Sequence, residues 1–208
     1  MATVLTPVEH KVMLTGVSWE TYERLLAEHQ EAAGTRFIYD RGNLEIMVLS
    51  ARHEQPNRIL ALLVDLIALE LGIRVCAVGS LTFRREDLEK GFEPDSAFYV
   101  ARANAVEGRE VDPAVDPPPD LIIEVDVTRE SLDRFPIFAA FGVPEVWRYD
   151  GSRVAIYRLE GSRYLETTSS FALPPLTAEV ITRFLDERRR TDSLEWARRV
   201  RHWARQPS

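Results

Sequence analysis

The stretch PPPDLIIEVDVTRESLDRF, residues 117–135, decides how the rest of the chain is read. A loop-like run of prolines ends at Pro119, and Leu121-Ile122-Ile123 then reads as a strand entering a core. That strand goes on to carry two carboxylates, Glu124 and Asp126. Successive side chains of a strand point to opposite faces, so Ile122, Glu124 and Asp126 share one face and Leu121, Ile123 and Val125 the other. Buried charges persist when they are paired or when they coordinate a metal. A third carboxylate, Asp95, stands at the start of the preceding strand, EPDSAFYV (residues 93–100). If the two strands are neighbours, Asp95 and Glu124 converge on one ion, and Mg²⁺ accepts such a hard-oxygen set. The spacing alone equally allows a solvent-exposed pair, or one bridged to the chain's many arginines.

Outward from this strand the pattern alternates helix and sheet. Upstream, Ser18 is placed to cap a helix through SWETYERLLAEHQEA (18–32). Two β-prone runs in TRFIYDRGNLEIMVL (35–49) flank Arg41-Gly42 as a hairpin or tight bend. A helix, apolar over most of its circumference, is expected from Pro56 to Leu71 with Gly72 just past its end. IRVCAV (73–78) reads as a strand, and residues 101–119 as a loop. Downstream, SLDRFPIFAAFG (131–142) reads as a helix, with Ser131 a plausible cap and Pro136 tolerated only in its first turn. PEVWRYD (144–150) and RVAIYRLE (153–160) form a hairpin, SRYLETT (162–168) an edge, and two helices close the chain near 177–189 and 192–205. The expected fold class is α+β, a mixed central sheet flanked by helices in one domain over residues 1–208.

Composition narrows the class further. With 208 residues, 45% of them apolar and 28% charged, the chain has the make-up of an ordinary globular protein. One cysteine, Cys76, excludes an internal disulfide framework and a cysteine-based zinc site, and fits a reducing, cytoplasmic setting. No secretory signal and no membrane-spanning stretch is expected. The net charge is −7, yet eight arginines face only four acids between Arg183 and Arg205, and the whole chain has two lysines, Lys11 and Lys90. In this basic end, Trp196, Val200 and Trp203 form one helical stripe opposite Arg198, Arg201 and Arg205. The tryptophans require burial, so docking on the body or dimerisation is favoured over direct DNA contact. Trp147 and Tyr149 share a strand face and read as core rather than as a base-stacking pair.

Three stretches carry a family resemblance: YDRGNLEIMVLSARHE (39–54), EPDSAFYV, and PPDLIIEVDVTRESLDRFPIFAAFGVPEVWRYDG (118–151). Taken in order, they resemble the Uma-two family of restriction-endonuclease-like proteins, within the PD-(D/E)xK nuclease superfamily. The resemblance implies a restriction-endonuclease-like core over about residues 35–175, followed by a basic helical segment over about 176–208. It also implies a metal-dependent DNA endonuclease, with a homodimer placing two sites on two strands. Asp95 and Glu124 would hold Mg²⁺ (or Mn²⁺) with the backbone carbonyl of Val125. The ion would lower the pKa of the attacking water.

The chain departs from the superfamily pattern where the motif's lysine falls, because residue 126 is aspartate. Asp126 would be a third metal ligand or a proton acceptor. The positive charge would pass to Arg134, an electrostatic clamp that cannot act as a base, unless Arg134 simply pairs with Asp126 or Asp133. His53 would contact phosphate and Glu54 assist the metal, or both would merely suit the start of a helix. The rival reading is a catalytically degenerate nuclease fold that serves as a DNA-binding or protein-interaction module. A structural protein that neither binds nor cuts is a third.

Overall fold

The protein's structure, a computed structural model, describes residues 10–29, 34–48, 51–79, 81–113, 115–127 and 132–206, with Ala51 and Arg52 described by their backbone only. Strand β1 (His10–Leu14) precedes helix α1 (Trp19–Glu28), whose first turn is closed by Ser18 Oγ accepting from the Thr21 N–H, as the sequence predicts. Strands β2 (Thr35–Asp40) and β3 (Asn43–Val48) form the expected hairpin. Its turn holds Arg41 at φ 44° and Gly42 at φ 86°, the pair of left-handed residues that a two-residue hairpin turn needs.

Helix α2 runs from Ala51 to Leu71, starting a turn earlier than Pro56 suggested. Pro56 lacks an N–H and forfeits one early helical bond, but a largely apolar helix in the middle of the fold recovers that cost through packing. At its far end Gly72 is left-handed, with φ 65°. The Ile73 N–H donates back to the Ala68 carbonyl at 2.8 Å, the helix stop expected at this glycine.

Short strands follow: β4 (Cys76–Ala77), β5 (Phe83–Arg85), β6 (Lys90–Phe92) and β7 (Ser96–Tyr99). The segment read as a loop contains one helical turn, α3 (Ala103–Val106). Strand β8 is Leu121–Val125, and Asp120 at its entrance accepts the backbone N–H groups of Val100 and Arg102. Helix α4 spans Phe135–Phe141, with Pro136 in its first turn and Gly142 left-handed after it; Ser131, the expected cap, lies outside the described residues. Strands β9 (Glu145–Tyr149), β10 (Val154–Glu160) and β11 (Arg163–Thr167) form a meander. Helices α5 (Ala178–Arg188) and α6 (Ser193–Ala204) close the chain, capped by Thr177 and Asp192.

The fold class is α+β, and the expected mixed sheet is accompanied by a second one. One sheet is antiparallel, in the order β1-β3-β2-β6-β5; the other is mixed, in the order β11-β10-β9-β8-β7-β4. The parallel pair is β8 with β9, joined by a crossover through α4.

All five residues of β8 are buried, and its alternation holds. Leu121, Ile123 and Val125 join Trp147 and Tyr149 in a core under α2, α5 and α6. Ile122 faces the other way, into a cluster with Ile38, Phe92, Ile137 and Phe138 beneath the antiparallel sheet. Trp147 and Tyr149 are thus core, as read from the sequence. The basic end is docked: Trp196 and Val200 are fully buried, Trp196 Nε1 donates to the Phe184 carbonyl, and Arg201 and Arg205 both reach Glu70 of α2. None of the described helices is long and apolar enough to cross a membrane.

Candidate active site

Glu124 stands on the face of β8 turned toward the antiparallel sheet, between the last apolar residues and the strand's open end. Pairing of β7 with β8 matches Ser96 to Ile123, and one further step of that register sets Asp95 opposite Glu124. The neighbourhood foreseen for Asp95 and Glu124 is therefore present. Both are buried. Asp95 Oδ2 accepts the Val125 N–H at 2.8 Å and lies 3.2 Å from His53 Nε2. His53 is fully buried near the start of α2, and Asn57, one turn on, donates to the Asp95 carbonyl at 3.0 Å while accepting from Ser96 Oγ at 2.8 Å. Position i and i+4 on one helix face explain why both reach β7. Glu54 is only half-buried in the first turn of α2, which suits its helix-start reading.

Arg134 is buried beside Glu124 and does not pair with Asp126 or Asp133. One guanidinium nitrogen, Nη1, donates to Glu124 Oε2; the other, Nη2, donates to Glu45 Oε1 at 2.9 Å. Glu45 comes from β3 and accepts the Leu132 N–H through its second oxygen at 2.7 Å, so it fixes both the arginine and the chain entering α4. Sequence reasoning missed Glu45 and Asn57. Glu45 had a signal, a charge amid the apolar residues of NLEIMV; its register to Arg134 exists only between sheets.

This cluster places Asp95, Glu124 and Glu45 around one permanent cation. Burial, with Asp95 adding to it, pushes the Glu124 carboxyl up to about 7, against the opposing pull of Arg134 and His53. For Arg134, burial works against the charge, but Glu124 and Glu45 outweigh it and hold the guanidinium above its ordinary range.

Asp126 ends β8 in a different setting. Its N–H donates to the Tyr149 carbonyl, Arg148 Nη2 donates to its Oδ2, and Lys11 Nζ lies 3.8 Å from Oδ1. Glu124, Asp126, Arg134 and Arg148 line a cleft of about 690 Å³, together with Phe135. Among the described residues no group of three or more His, Cys, Asp or Glu could hold a metal ion. The three carboxylates expected at one ion do not meet: Asp95 and Glu124 lie together, whereas Asp126 pairs with Arg148 and lies near Lys11. Two hard-oxygen carboxylates are within what Mg²⁺ takes from protein, with waters or phosphate oxygens as the remaining ligands. A glutamate whose carboxyl is pushed up to about 7 chiefly by burial is a group whose ionised form gains from a further cation.

The Uma2 (Uma-two) family model, described as "Putative restriction endonuclease", matches residues 19–185. A solved structure described as that of a "putative nuclease belonging to DUF820" from Anabaena variabilis ATCC 29413 is 15% identical, covering 72% of this chain and 90% of that chain, with a TM-score of 0.48. No curated protein matches the chain.

Proposed function

The chain belongs to the Uma2 family, whose model carries the description "Putative restriction endonuclease", and on that premise we propose that it is a metal-dependent endonuclease that hydrolyses DNA phosphodiesters. The observation that carries this reading is the buried Asp95–Glu124 pair set beside a buried arginine at the wall of a cleft. Asp95 and Glu124 would hold Mg²⁺ or Mn²⁺, which when bound polarises a phosphate oxygen and makes water acidic enough to attack at neutral pH. His53 and the Val125 N–H orient Asp95. Arg134, always charged, is positioned by Glu45 to meet negative charge that develops on a phosphoryl oxygen. Because no arginine can take a proton from water, the proton leaves to solvent or to a carboxylate of the site.

The test is nicking of supercoiled plasmid by the purified protein with Mg²⁺ or Mn²⁺. Cleavage is expected from the wild type and is expected to vanish in Asp95→Asn and Glu124→Gln. One observation favours the rival, a non-cutting DNA-binding module: Arg134 already donates to the glutamate that the metal needs. Duplex binding with no cleavage at any metal concentration would establish that alternative. Homodimerisation and a cytoplasmic setting remain part of the proposal, the first checked by sedimentation.

A further inference from the structure

Asp126, the cleft carboxylate nearest Glu124 in the chain, is one for which neither the metal pair nor the Arg134 network has a use. It sits where a cation stands in the motif that the chain resembles. Two cations nevertheless reach that place from other elements. Arg148, from β9, donates to Asp126 Oδ2, and Lys11, from β1, stands near Oδ1. Lys11 pairs in register with Met47 of β3, whose sulfur lies 3.8 Å from Arg134 Nη2. Paired residues share a sheet face, so Lys11 projects from the same wall that carries Glu45 to the arginine. The three-way contact is loose at its lysine side. Asp126 Oδ1 is buried, has no hydrogen bond among the described residues, and sits 3.8 Å from the ammonium. On the other side Arg148 is open to the cleft, its side chain 41% exposed.

We infer that Asp126 is a placeholder for a nucleic-acid backbone phosphate: its carboxylate occupies the ground between Arg148 and Lys11 that two phosphate oxygens take when DNA enters the cleft. This rests on the nuclease reading and adds a binding role for Lys11 and Arg148. A carboxylate and a phosphodiester each present two anionic oxygens to a pair of cations, and the phosphodiester satisfies an arginine fork equally well. In the free protein the aspartate helps to place both cations. When DNA binds, the cations exchange partners; Oδ1 has no hydrogen bond to lose, and the cost falls on the Arg148 contact to Oδ2. The placeholder therefore lowers affinity for DNA and holds the site in readiness. A third metal ligand at the same position would do the opposite.

The experiment is anisotropy of a fluorescein-labelled duplex in EDTA, where nothing is cut, comparing wild type, Asp126→Asn, the double variant Lys11→Gln/Arg148→Gln, and the triple combination. Asp126→Asn is expected to tighten binding about five- to tenfold, the worth of releasing two cations from weak ion pairs. That gain is expected to disappear in the Lys11→Gln/Arg148→Gln background. A gain that persists there, or that Asp133→Asn reproduces in full, is a general charge effect and overturns the inference; so does unchanged or weaker binding by Asp126→Asn. Failure of wild type and Asp126→Asn alike to bind DNA overturns the proposed function and this inference with it.

A second measurement needs no variant. With only two lysines in the chain, amine acylation followed by peptide mass mapping is expected to show DNA shielding Lys11 and leaving Lys90 unchanged. Equal labelling of Lys11 with and without DNA overturns the placeholder role.

Discussion

Replacing Arg134 with methionine removes the counter-ion shared by Glu124 and Glu45 while keeping most of the side chain's volume. Breaking a buried pair by removing one partner costs about 3–5 kcal/mol, because the other charge is stranded. Here the cost depends on pH in a calculable way. In the wild type Glu124 holds its proton up to about 7, well above an ordinary glutamate. A raised carboxyl favours the folded state while it is protonated, so its contribution is complete at acid pH, falls as pH climbs to 7, and is level beyond. Without Arg134, which pulls that value down, the glutamate stays protonated to higher pH and the variant keeps losing stability where the wild type has stopped. One proton difference is about 1.4 kcal/mol per pH unit, and since the wild-type glutamate is still half protonated at pH 7, the gap between the two proteins should widen by about 1 kcal/mol between pH 7 and 8. Urea unfolding at pH 6, 7 and 8, read by tryptophan fluorescence, measures it directly. A gap that is constant across those pH values, or smaller than about 1 kcal/mol at pH 8, would refute the electrostatic account of the cluster.

Further outcomes follow from other parts of the molecule. Heat from Mn²⁺ titration is expected for the wild type and not for Glu124→Gln or Asp95→Asn, with a proton released on binding below about pH 7 and affinity rising until that pH and level above it, since the ion needs the ionised carboxylate. Gly91→Ala should destabilise the protein by about 1–3 kcal/mol in thermal unfolding, because an added Cβ would stand 2.1 Å from the Tyr22 hydroxyl, on a ring stacked against Tyr39. Trp196→Ala should cost about 3–5 kcal/mol and loosen the terminal helix, a change visible as hydrogen exchange in α6. Arg201→Ala by contrast is expected to leave the melting temperature nearly unchanged, since Arg205 shares the same Glu70.

Local elements were readable because their causes are local. Ser18 closes α1 through a bond three residues away, Gly72 ends α2 by adopting a positive φ, and Arg41-Gly42 turns a hairpin that alternating apolar residues had already announced. Period-two patterning also put Ile122 and Glu124 on one face of β8 and Trp147 and Tyr149 in the core, since the pleat permits nothing else. Helix α2 starts ahead of Pro56 because packing of the apolar helix overrides the local penalty of the proline. Single residues of the site divide the same way: Asp95 and Glu124 were legible from their strands, whereas Arg134's partners were not.

Sequence by itself determined which residues are able to form strands, turns and caps, which side of β8 carries the carboxylates, and that position 126 is an aspartate rather than a cation. Only the tertiary structure decided which charges meet. Glu45 lies 89 residues from Arg134 and Lys11 more than a hundred from Asp126 in the chain. A Coulombic contact depends on separation in space and on the surrounding dielectric, and neither is recorded in spacing along a polymer.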